Sequence, residues 1–351
     1  MKKVLALALS LMMLLSFVAC AAPAAEEAPA AEAPAAEAPA AAEAPAEGEK
    51  AFTAVIADDS FGAPFSQLVW SGFLRLQEEF GTDIKFVEAL DAAAYEQQLR
   101  AIAEQGANPV FVMFDGLGQV AMDISAEYPD TFFVLLECNI PCDLPNVCHV
   151  AADAYDSNFI AGVMSAMRTE VGKLAWIGCY DSDVVNRYRD GYHAGINWAN
   201  EKFGTSVTLD VSHIGDAVDT VKGAEAAKIM IDNGADIVAQ AANMAGIGVI
   251  NACQDAGVLC VGCDSWQGDK AECVFWTAIV AIDKAIYATY CDFLEDKLEP
   301  GVHTYAIHNG GAAYDERDYE RATDEEKAII DGIMADVKAG VLDIYALNPY
   351  A

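Results

Sequence analysis

Positively charged residues are scarce in this chain of 351 residues. Lysine and arginine together number 20, against 54 aspartates and glutamates, which gives a formal net charge of −34. Proteins that bind nucleic acid neutralise its phosphates with clustered lysine and arginine side chains. The same need applies to proteins that adhere to anionic lipid headgroups. The charge balance therefore argues against nucleic acid and against anionic membrane surfaces as partners.

Catalytic signatures are also missing from the sequence. It has no Walker phosphate-binding loop and no Gly-x-Ser-x-Gly nucleophile motif, and the isolated Gly-x-Gly pairs at Gly116 and Gly246 are too short for a nucleotide fingerprint. The five histidines show no metal-ligand spacing with acidic partners. We therefore predict that the chain is not an enzyme, and we expect neither a metal nor a cofactor.

Long hydrophobic runs are limited to the N-terminus. Two lysines precede an almost wholly apolar run from Val4 to Val18, which is too short for a secure transmembrane span. Phe17–Cys20 resembles the bacterial lipobox, in which the cysteine is diacylated and becomes the new N-terminus, although leucine is usual where Phe17 stands. We predict a lipoprotein signal peptide over residues 1–20 with Cys20 as the lipid anchor. An ordinary signal peptide cleaved nearby is the alternative.

Residues 21–50 cannot form a hydrophobic core. Five prolines at near-regular spacing alternate with alanines and seven glutamates, and each proline interrupts any helix that the alanines would start. The segment is predicted to be a disordered, semi-extended tether. A lipid anchor followed by an acidic tether places the rest of the chain on the extracytoplasmic face of the cell membrane, held there only through the lipid.

The remaining nine cysteines leave an odd number for an exported protein, so at least one thiol must be free. Free and mostly buried thiols are favoured. One or two disulfides, for instance within the segment Cys138–Cys148, are the alternative, and a zinc site is less favoured. Cys260 and Cys263 have Cys-x-x-Cys spacing, but the residues between them fit a buried strand better.

The residues from 51 onward alternate strand-like and helical stretches in two successive series. About 300 residues are too many for one ordinary core and suit two lobes. The alternation predicts two doubly wound α/β units with parallel sheets, and the break between them lies near residues 150–156. The acidic run Asp315–Glu326 is predicted to be a solvated face. The predicted strands are 52–57, 85–88, 109–114, 131–137, 173–178, 207–211, 236–240 and 259–263.

Ligands of doubly wound sheets bind at the carboxyl ends of the strands, so two facing units would form a cleft between those edges. Several loops at these ends carry carboxylates, which accept hydrogen bonds from hydroxyl groups, and aromatic rings, which stack on flat ligands. Each aspartate there could equally be a helix cap or a turn residue. The candidate ligand-binding residues are Asp58, Phe65, Ser66, Gln67, Glu137, Asn243, Asp264 and Trp266.

Five segments resemble the basic membrane protein family of lipoproteins, which are the solute-binding proteins of ABC transporters. The best-understood members of this family bind purine nucleosides. The resemblance covers essentially all of residues 51–351, and the order and spacing of the segments make it specific. The segments are Phe65–Gly72, Phe159–Val163, Ile177–Gly195, Gly234–Val238 and Val261–Gln267.

The resemblance implies a type I periplasmic-binding-protein fold with a hinge of three chain crossings, near residues 153, 275 and 303. The first lobe would comprise residues 51–152 and 275–302, and the second lobe residues 153–274 and 303–351. Thr277–Leu294 would be a helix returning to the first lobe. Closure of the hinge around the ligand would exclude water and present a closed surface to the permease.

The resemblance also implies roles for four of the candidate residues. Asp58 and Asp264 would face ribose hydroxyls, Phe65 would stack on the base, and Glu137 stands where the family has a base-reading aspartate.

The sequence departs from the family pattern at three positions. Ser66 replaces an asparagine, and Ala239 lies where a second aromatic residue is common. Val280 lies near the place of a lysine that contacts ribose.

The resemblance as a whole leads us to expect a monomeric protein that hands a small polar solute, a purine nucleoside in the first instance, to an ABC permease. A ligand-sensing receptor of the same fold and the uptake of a different solute are the alternatives.

The lipobox predicts the behaviour of one variant. Two acyl chains suffice for stable membrane anchoring, so Cys20→Ala is expected to release the protein from the membrane fraction. Fractionation followed by immunoblotting measures this, with Cys291→Ala as a control that stays with the membranes. A Cys20→Ala protein that fractionates like the parent would show that Cys20 is not the anchor.

Overall fold

Runs of buried β-branched and aromatic residues form the strands of this protein, and amphipathic stretches between them form the helices. The computed structural model describes residues 52–58, 60–138, 140–309, 311 and 313–350. The predicted signal peptide, the anchor Cys20 and the tether of residues 21–50 lie outside the described residues.

The strands in the described residues include the eight predicted from the sequence, each with ends within two residues of the prediction. Three further strands were not predicted, namely β5, β10 and β11. The strands are β1 (Thr53–Ala57), β2 (Ile84–Glu88), β3 (Val110–Met113), β4 (Phe133–Leu136), β5 (Val147–Ala152), β6 (Lys173–Gly178), β7 (Thr208–His213), β8 (Ile237–Ala241), β9 (Leu259–Asp264), β10 (Val274–Ile279) and β11 (Gly301–Tyr305).

The α-helices of the described residues connect these strands, and the last two follow β11. They are α1 (Pro64–Phe80), α2 (Tyr95–Glu104), α3 (Phe114–Ser125), α4 (Ala154–Arg168), α5 (Asp183–Phe203), α6 (Thr220–Asp232), α7 (Ala245–Ala256), α8 (Ile282–Leu294), α9 (Glu316–Arg321) and α10 (Asp324–Lys338). A short 3-10 turn at Tyr345–Leu347 follows α10.

The strands form two separate parallel sheets, as the sequence predicted. One has the order β11-β5-β4-β3-β1-β2 and the other has the order β10-β9-β8-β6-β7. Alternate residues of β1 pack into different clusters on the two faces of the first sheet, with Val55 on one side and Ile56 on the other. Both faces are therefore covered, as parallel sheets require. We call the first sheet with α1–α3 and α8 the first lobe, and the second sheet with the remaining helices the second lobe.

The chain passes between the two sheets three times. It leaves the first sheet after Ala152, returns with α8 after Ile279, and leaves again after Tyr305 to add α9 and α10 to the second lobe. The family resemblance implies crossings near residues 153, 275 and 303. The first coincides with the end of β5, whereas β10 and β11 continue a few residues beyond the other two expected positions.

The helix predicted over Thr277–Leu294 is wrong at its start. Residues 277–279 belong to β10, and α8 begins only at Ile282. The stretch from Val274 to Ile279 consists mainly of β-branched and aromatic residues, and it is almost wholly buried beside β9. Burial on both faces removes the polar alternation that separates a strand from a helix in the sequence.

The predicted solvated face over Asp315–Glu326 is also wrong at two residues. Asp318 and Glu326 are only 1% and 5% exposed. Asp318 accepts a hydrogen bond from Trp266 Nε1, while Glu326 accepts two from the Arg168 guanidinium and completes a capping box at the start of α10. These two carboxylates are buried because specific donors meet them, and the sequence does not show which acidic residue has such a partner.

Helices α4 and α5 approach so closely that their backbones touch. A Cβ atom added to Gly162 would lie 2.1 Å from the Tyr192 carbonyl oxygen, and one added to Gly195 would lie 2.0 Å from the Phe159 carbonyl oxygen. The glycines in these segments therefore have a packing role, since no larger residue fits between the helices. This contact fixes the position of α5, whose first turns reach the edge of the second sheet.

The nine cysteines of the described residues are free thiols, which agrees with the favoured interpretation of the sequence. Six of them are buried, among them Cys260 and Cys263 on β9. A hydrogen bond with Cys253, together with burial, holds the pKa of the Cys260 thiol well above its usual range, so this thiol stays protonated and unreactive. Within the described residues, no helix combines the length and the apolar composition needed to cross a membrane.

The contact between α4 and α5 predicts a difference between two glycine substitutions. Gly195→Ala is expected to lower the free energy of unfolding by about 1–3 kcal/mol or more, because the methyl group would overlap the Phe159 carbonyl. Gly332→Ala, at an exposed position of α10 with open space around its Cβ, is expected to raise it by about 0.5–1 kcal/mol. Urea unfolding measures both. Equal effects would show that the close approach does not limit residue 195.

Candidate functional site

A cavity of about 950 Å³ lies where the carboxyl ends of both sheets meet. Its volume is in the range of small-molecule binding sites. The second lobe lines it with residues from segments 179–188, 217–218 and 241–244 and with Asp264. From the first lobe it is lined by Asp58, Phe65, Phe114, Asp115, Gly116 and Glu137.

Five of the residues predicted from the sequence line this cavity. They are Asp58, Phe65 and Glu137 from the first lobe, and Asn243 and Asp264 from the second. Each follows or ends a strand, or opens the helix after one, and parallel strands bring such positions to one edge. The cavity therefore joins residues that are more than 200 positions apart in the chain.

The other three candidate residues do not line the cavity. The Ser66 side chain, on α1, is fully buried. Gln67 is exposed and donates a hydrogen bond to the Phe61 carbonyl oxygen. Trp266 donates from Nε1 to Asp318 at 3.1 Å, and the Arg317 guanidinium covers its ring at 3.9 Å. These contacts hold the indole within the second lobe and away from the cavity.

Four residues that line the cavity have a left-handed backbone, although none is glycine. The φ angles are 68° at Phe114, 52° at Glu137, 49° at Asn243 and 65° at Asp264. Among the described residues only one other non-glycine residue, Asp296, has a positive φ angle. Such conformations cost about 1–3 kcal/mol each and concentrate at functional sites. Here each one turns the chain at the end of a strand, so that a side chain faces the cavity.

Asp264 is held by two neighbours in the second lobe. Tyr188 Oη, from the second turn of α5, donates to Asp264 Oδ1 at 2.8 Å, and the Cys263 thiol lies 3.4 Å from Oδ2. Burial raises the pKa of Asp264, and these two hydrogen bonds oppose the rise. The carboxyl group is therefore fixed in orientation, and its remaining lone pairs are acceptors for a ligand.

An aromatic wall and a second carboxylate lie opposite, in the first lobe. The rings of Phe65 and Phe114 lie with their centroids 5.7 Å apart at an angle of 37°. Tyr95 Oη donates to Asp58 Oδ2 at 3.4 Å. A Cβ atom added to Gly116 would lie 3.3 Å from the Tyr95 ring and 3.8 Å from Asp58 Oδ2, so the absence of a side chain keeps this corner open.

Glu137 lies at the base of the cavity beside the first crossing. Its Oε1 atom accepts a hydrogen bond from the Ala152 amide at 2.8 Å. Burial raises the pKa of Glu137 to about 8, and the nearby carboxylates of Asp153 and Asp264 add to the rise. At neutral pH the carboxyl group therefore carries a proton and can both donate and accept a hydrogen bond.

The charge of the cavity lining is entirely acidic in the part of the chain that the structure describes. Five carboxyl groups belong to it, from Asp58, Asp115, Glu137, Asp183 and Asp264, and no lysine, arginine or histidine does. An anionic ligand would be repelled by those carboxyl groups that are ionised, because charges in a partly dry cleft are weakly screened. The lining suits a neutral or cationic molecule that is rich in hydrogen-bond donors.

Comparison with known proteins agrees with this geometry. Residues 50–337 match the family described as ABC transporter substrate-binding protein, PnrA-like. The chain belongs to this family. Its members are solute-binding proteins of ABC transporters, which confirms the prediction that the chain is not an enzyme.

Curated relatives in the family are distant in sequence. The chain is 25% identical over 318 residues to the ABC transporter nucleoside-binding protein BmpA of Lactococcus lactis subsp. cremoris, covering 83% of this chain and 88% of that one. It is 24% identical to basic membrane protein A1 of Borrelia garinii subsp. bavariensis over 60% of this chain. That match spans 62% of the Borrelia protein, so about three fifths of such relatives is covered.

Solved structures show the same fold. An ABC transporter solute-binding protein from Aeropyrum pernix K1 superimposes with a TM-score of 0.74 at 16% identity, covering 84% of this chain and 93% of that chain. A second, titled as a transcriptional activator of the comK gene from Bacillus halodurans, gives 0.69 at 18% identity, with coverage of 81% and 96%. Together with the two parallel sheets, these similarities confirm the type I periplasmic-binding fold.

Two departures from the family pattern lie outside the cavity lining. Ala239 is buried in the middle of β8, within the core of the second lobe. Val280 packs in the core of the first lobe, and its amide donates to the Asp264 carbonyl oxygen at 2.8 Å. Neither side chain therefore contributes to the cavity surface of this protein.

The structure also adds cavity residues that sequence reasoning missed. Phe114 and Tyr188 are the most informative, since the first completes the aromatic wall and the second orients Asp264. The segment Ile177–Gly195 had been matched to the family, but the ring at position 188 was not assigned to the site. The predicted strand 109–114 ends at Phe114, because no glycine in the sequence marks the left-handed backbone at this residue.

The raised pKa of Glu137 predicts how stability changes with pH. The folded protein keeps this proton up to a pH of about 8, whereas the unfolded chain loses it near 4.5. Stability is therefore lost as the pH rises between these values, with a slope of at most about 1.4 kcal/mol per pH unit. Urea unfolding at several pH values is expected to show that Glu137→Gln removes this slope. Glu78→Gln, at an exposed position of α1, should leave the slope unchanged. An unchanged slope in Glu137→Gln would refute the assignment.

Proposed function

We propose that this protein captures a purine nucleoside in the cavity between its lobes and delivers it to an ABC permease. In this proposal the chain acts on the extracytoplasmic face of the membrane, held there through lipid on Cys20, and works as a monomer. The observation that carries the proposal is the lining of the cavity. It combines two neighbouring phenylalanine rings with several acceptor groups, and its described residues include no basic side chain.

The chemistry of a nucleoside matches this lining. A purine base is flat and presents an apolar face to the rings of Phe65 and Phe114, and such stacking contributes about 1–3 kcal/mol. The two ribose hydroxyls are donors that suit the carboxylates of Asp58 and Asp264. A neutral Glu137 carboxyl can form two hydrogen bonds with a base edge that has a donor beside an acceptor.

The two lobes supply different parts of the site, which supports capture by closure. The aromatic wall belongs to the first lobe, and the Tyr188–Asp264 pair belongs to the second. A ligand that contacts both lobes stabilises the arrangement in which they are close, and this arrangement is the one a permease could recognise. The three chain crossings after Ala152, Ile279 and Tyr305 are the proposed hinge. The name of the Lactococcus relative, a nucleoside-binding protein, supports the ligand class.

Calorimetric titration with adenosine, guanosine and inosine tests the proposal. At least one nucleoside is expected to bind, and its 5′-monophosphate is expected to bind at least about tenfold more weakly, because the phosphate would enter a lining that has several carboxyl groups besides Glu137 and whose described residues include no basic side chain. Asp264→Asn keeps a residue that tolerates the left-handed backbone but loses the charge. It is expected to weaken binding by about ten- to a hundredfold, the usual loss for a hydrogen bond to a charged group.

Asp269→Asn is the matched control, since Asp269 is exposed on the loop that follows β9 and does not line the cavity. It is expected to bind like the parent protein. Absence of heat with all three nucleosides would overturn the nucleoside assignment. Equal losses in the two variants would instead show that Asp264 does not contact the ligand.

A further inference from the structure

The short 3-10 turn at Tyr345–Leu347 lies against the start of α4, at the first and third crossings between the lobes. Tyr345 Oη is 2.9 Å from Asp153 Oδ2 and 2.6 Å from Asp156 Oδ1. Tyr155 Oη donates in turn to the Ile344 carbonyl at 2.9 Å, and the rings of Tyr155 and Tyr345 lie 5.1 Å apart. Hydrogen bonds of Tyr345, in the turn, and of Tyr155, in α4, therefore join the turn to the first crossing.

The two carboxylates tie both crossings to this turn. Asp153 caps α4, and its amide donates to the Tyr305 carbonyl at 2.7 Å, which joins the first crossing to the third. The Ile307 amide, just after the third crossing, donates to Asp156 Oδ2 at 2.6 Å. Arg187 of α5 pairs with Asp153 through two hydrogen bonds of 3.1 and 2.7 Å.

The number of hydrogens decides the protonation of this cluster. A phenol has one hydrogen, so Tyr345 can donate to only one of the two carboxyl groups. The other short contact needs a proton on an acid. Both carboxyl groups are buried, but only Asp153 of the two forms an ion pair among the described residues, with Arg187, which favours its charged form. This difference assigns the proton to Asp156, which donates to Tyr345 Oη, while Tyr345 donates to Asp153.

Two sets of hydrogen bonds connect this cluster to the cavity. The Ala152 amide, directly before Asp153, donates to the cavity residue Glu137. On α5, Arg187 holds Asp153 while the adjacent Tyr188 orients Asp264 in the cavity. The crossings and the ligand-binding carboxyls therefore share neighbouring residues on the same short segments.

We propose that Tyr345, together with a neutral Asp156, is a positioning residue that binds the first and third crossings to the second lobe and so limits the range of lobe orientations. The bend of the hinge is then confined to the side of the first lobe. The effect on ligand affinity rests on the proposed function, whereas the effect on lobe orientation does not.

Distances between the lobes test the proposal without any ligand. Spin labels on genetically encoded ketone residues avoid the nine native thiols, and Leu90 and Val221 are exposed positions, one on each lobe. Pulsed dipolar spectroscopy on the full chain is expected to show a broader distance distribution in Tyr345→Phe than in the parent. Tyr319→Phe is the matched control, since that hydroxyl bonds only Asp331 within the second lobe, and it should reproduce the parent distribution. A parent-like distribution in Tyr345→Phe would overturn the proposal.

Two substitutions of Asp156 test the assignment of the proton. In Asp156→Asn the amide can donate to Tyr345 while its oxygen accepts from Ile307, as the neutral acid does, so the narrow distribution is expected to remain. Asp156→Ala removes both bonds and is expected to broaden the distribution as Tyr345→Phe does. Broadening in Asp156→Asn would show that Asp156 is ionised, and that outcome would overturn the assignment.

Titration of the same variants with the tightest-binding of the three nucleosides gives a second readout. Tyr345→Phe is expected to weaken binding by about fivefold or more, because a wider range of orientations must be fixed on closure. Asp156→Asn is expected to bind like the parent. If the parent protein binds none of the nucleosides, the proposed ligand is wrong, and the distance measurements still decide the role of Tyr345. Broadened distances with unchanged nucleoside affinity would overturn the coupling to the ligand.

Discussion

Direct backbone contact between α4 and α5 is the constraint on which the site depends. Gly162, Gly191 and Gly195 allow the contact, since a Cβ atom at any of them would lie within about 2.2 Å of a carbonyl oxygen of the other helix. The start of α4 carries the first crossing between the lobes, and the start of α5 carries Arg187 and Tyr188. The glycines in these helices therefore fix the spacing between the first crossing, at the start of α4, and Arg187 and Tyr188, at the start of α5.

Acidic residues that are buried or half-buried lie at the crossing and in the cavity, and tyrosine hydroxyls are their repeated partners. Tyr188 meets Asp264, Tyr95 meets Asp58, and Tyr345 lies between the two carboxyl groups at the crossing. A phenol donates a hydrogen bond to a carboxylate and leaves its negative charge in place, whereas a lysine or arginine would neutralise that charge. In the cavity this choice keeps the lining negative and leaves acceptors for the ligand. At the crossing Arg187 is added, and there one carboxylate of the pair is neutralised by a cation.

The sequence predicted most of the fold because its signals are local. Strands with polar or glycine-rich flanks were found within two residues, and the strand ends gave five residues of the cavity. The errors occurred where contacts between residues distant in sequence determine the local structure or the burial of a side chain. The helix predicted over Thr277–Leu294 includes the last three residues of β10, because both faces of that strand are buried. The partners of Asp318 and Glu326 lie far away in sequence. Phe114 was missed because its backbone turns without a glycine.

The order of strands in the first sheet has a consequence for how the protein folds. The second sheet is built from consecutive strands, β6 to β10, so all of its hydrogen bonds can form once residue 279 has emerged. The first sheet ends with β11, whose partner β5 lies about 150 residues earlier in the chain. Its last edge must stay open until almost the whole chain is available, and long-range parallel pairing is slow. After residue 279 has emerged and before β11 pairs with β5, the exposed edge of β5 is the segment on which a chaperone would act.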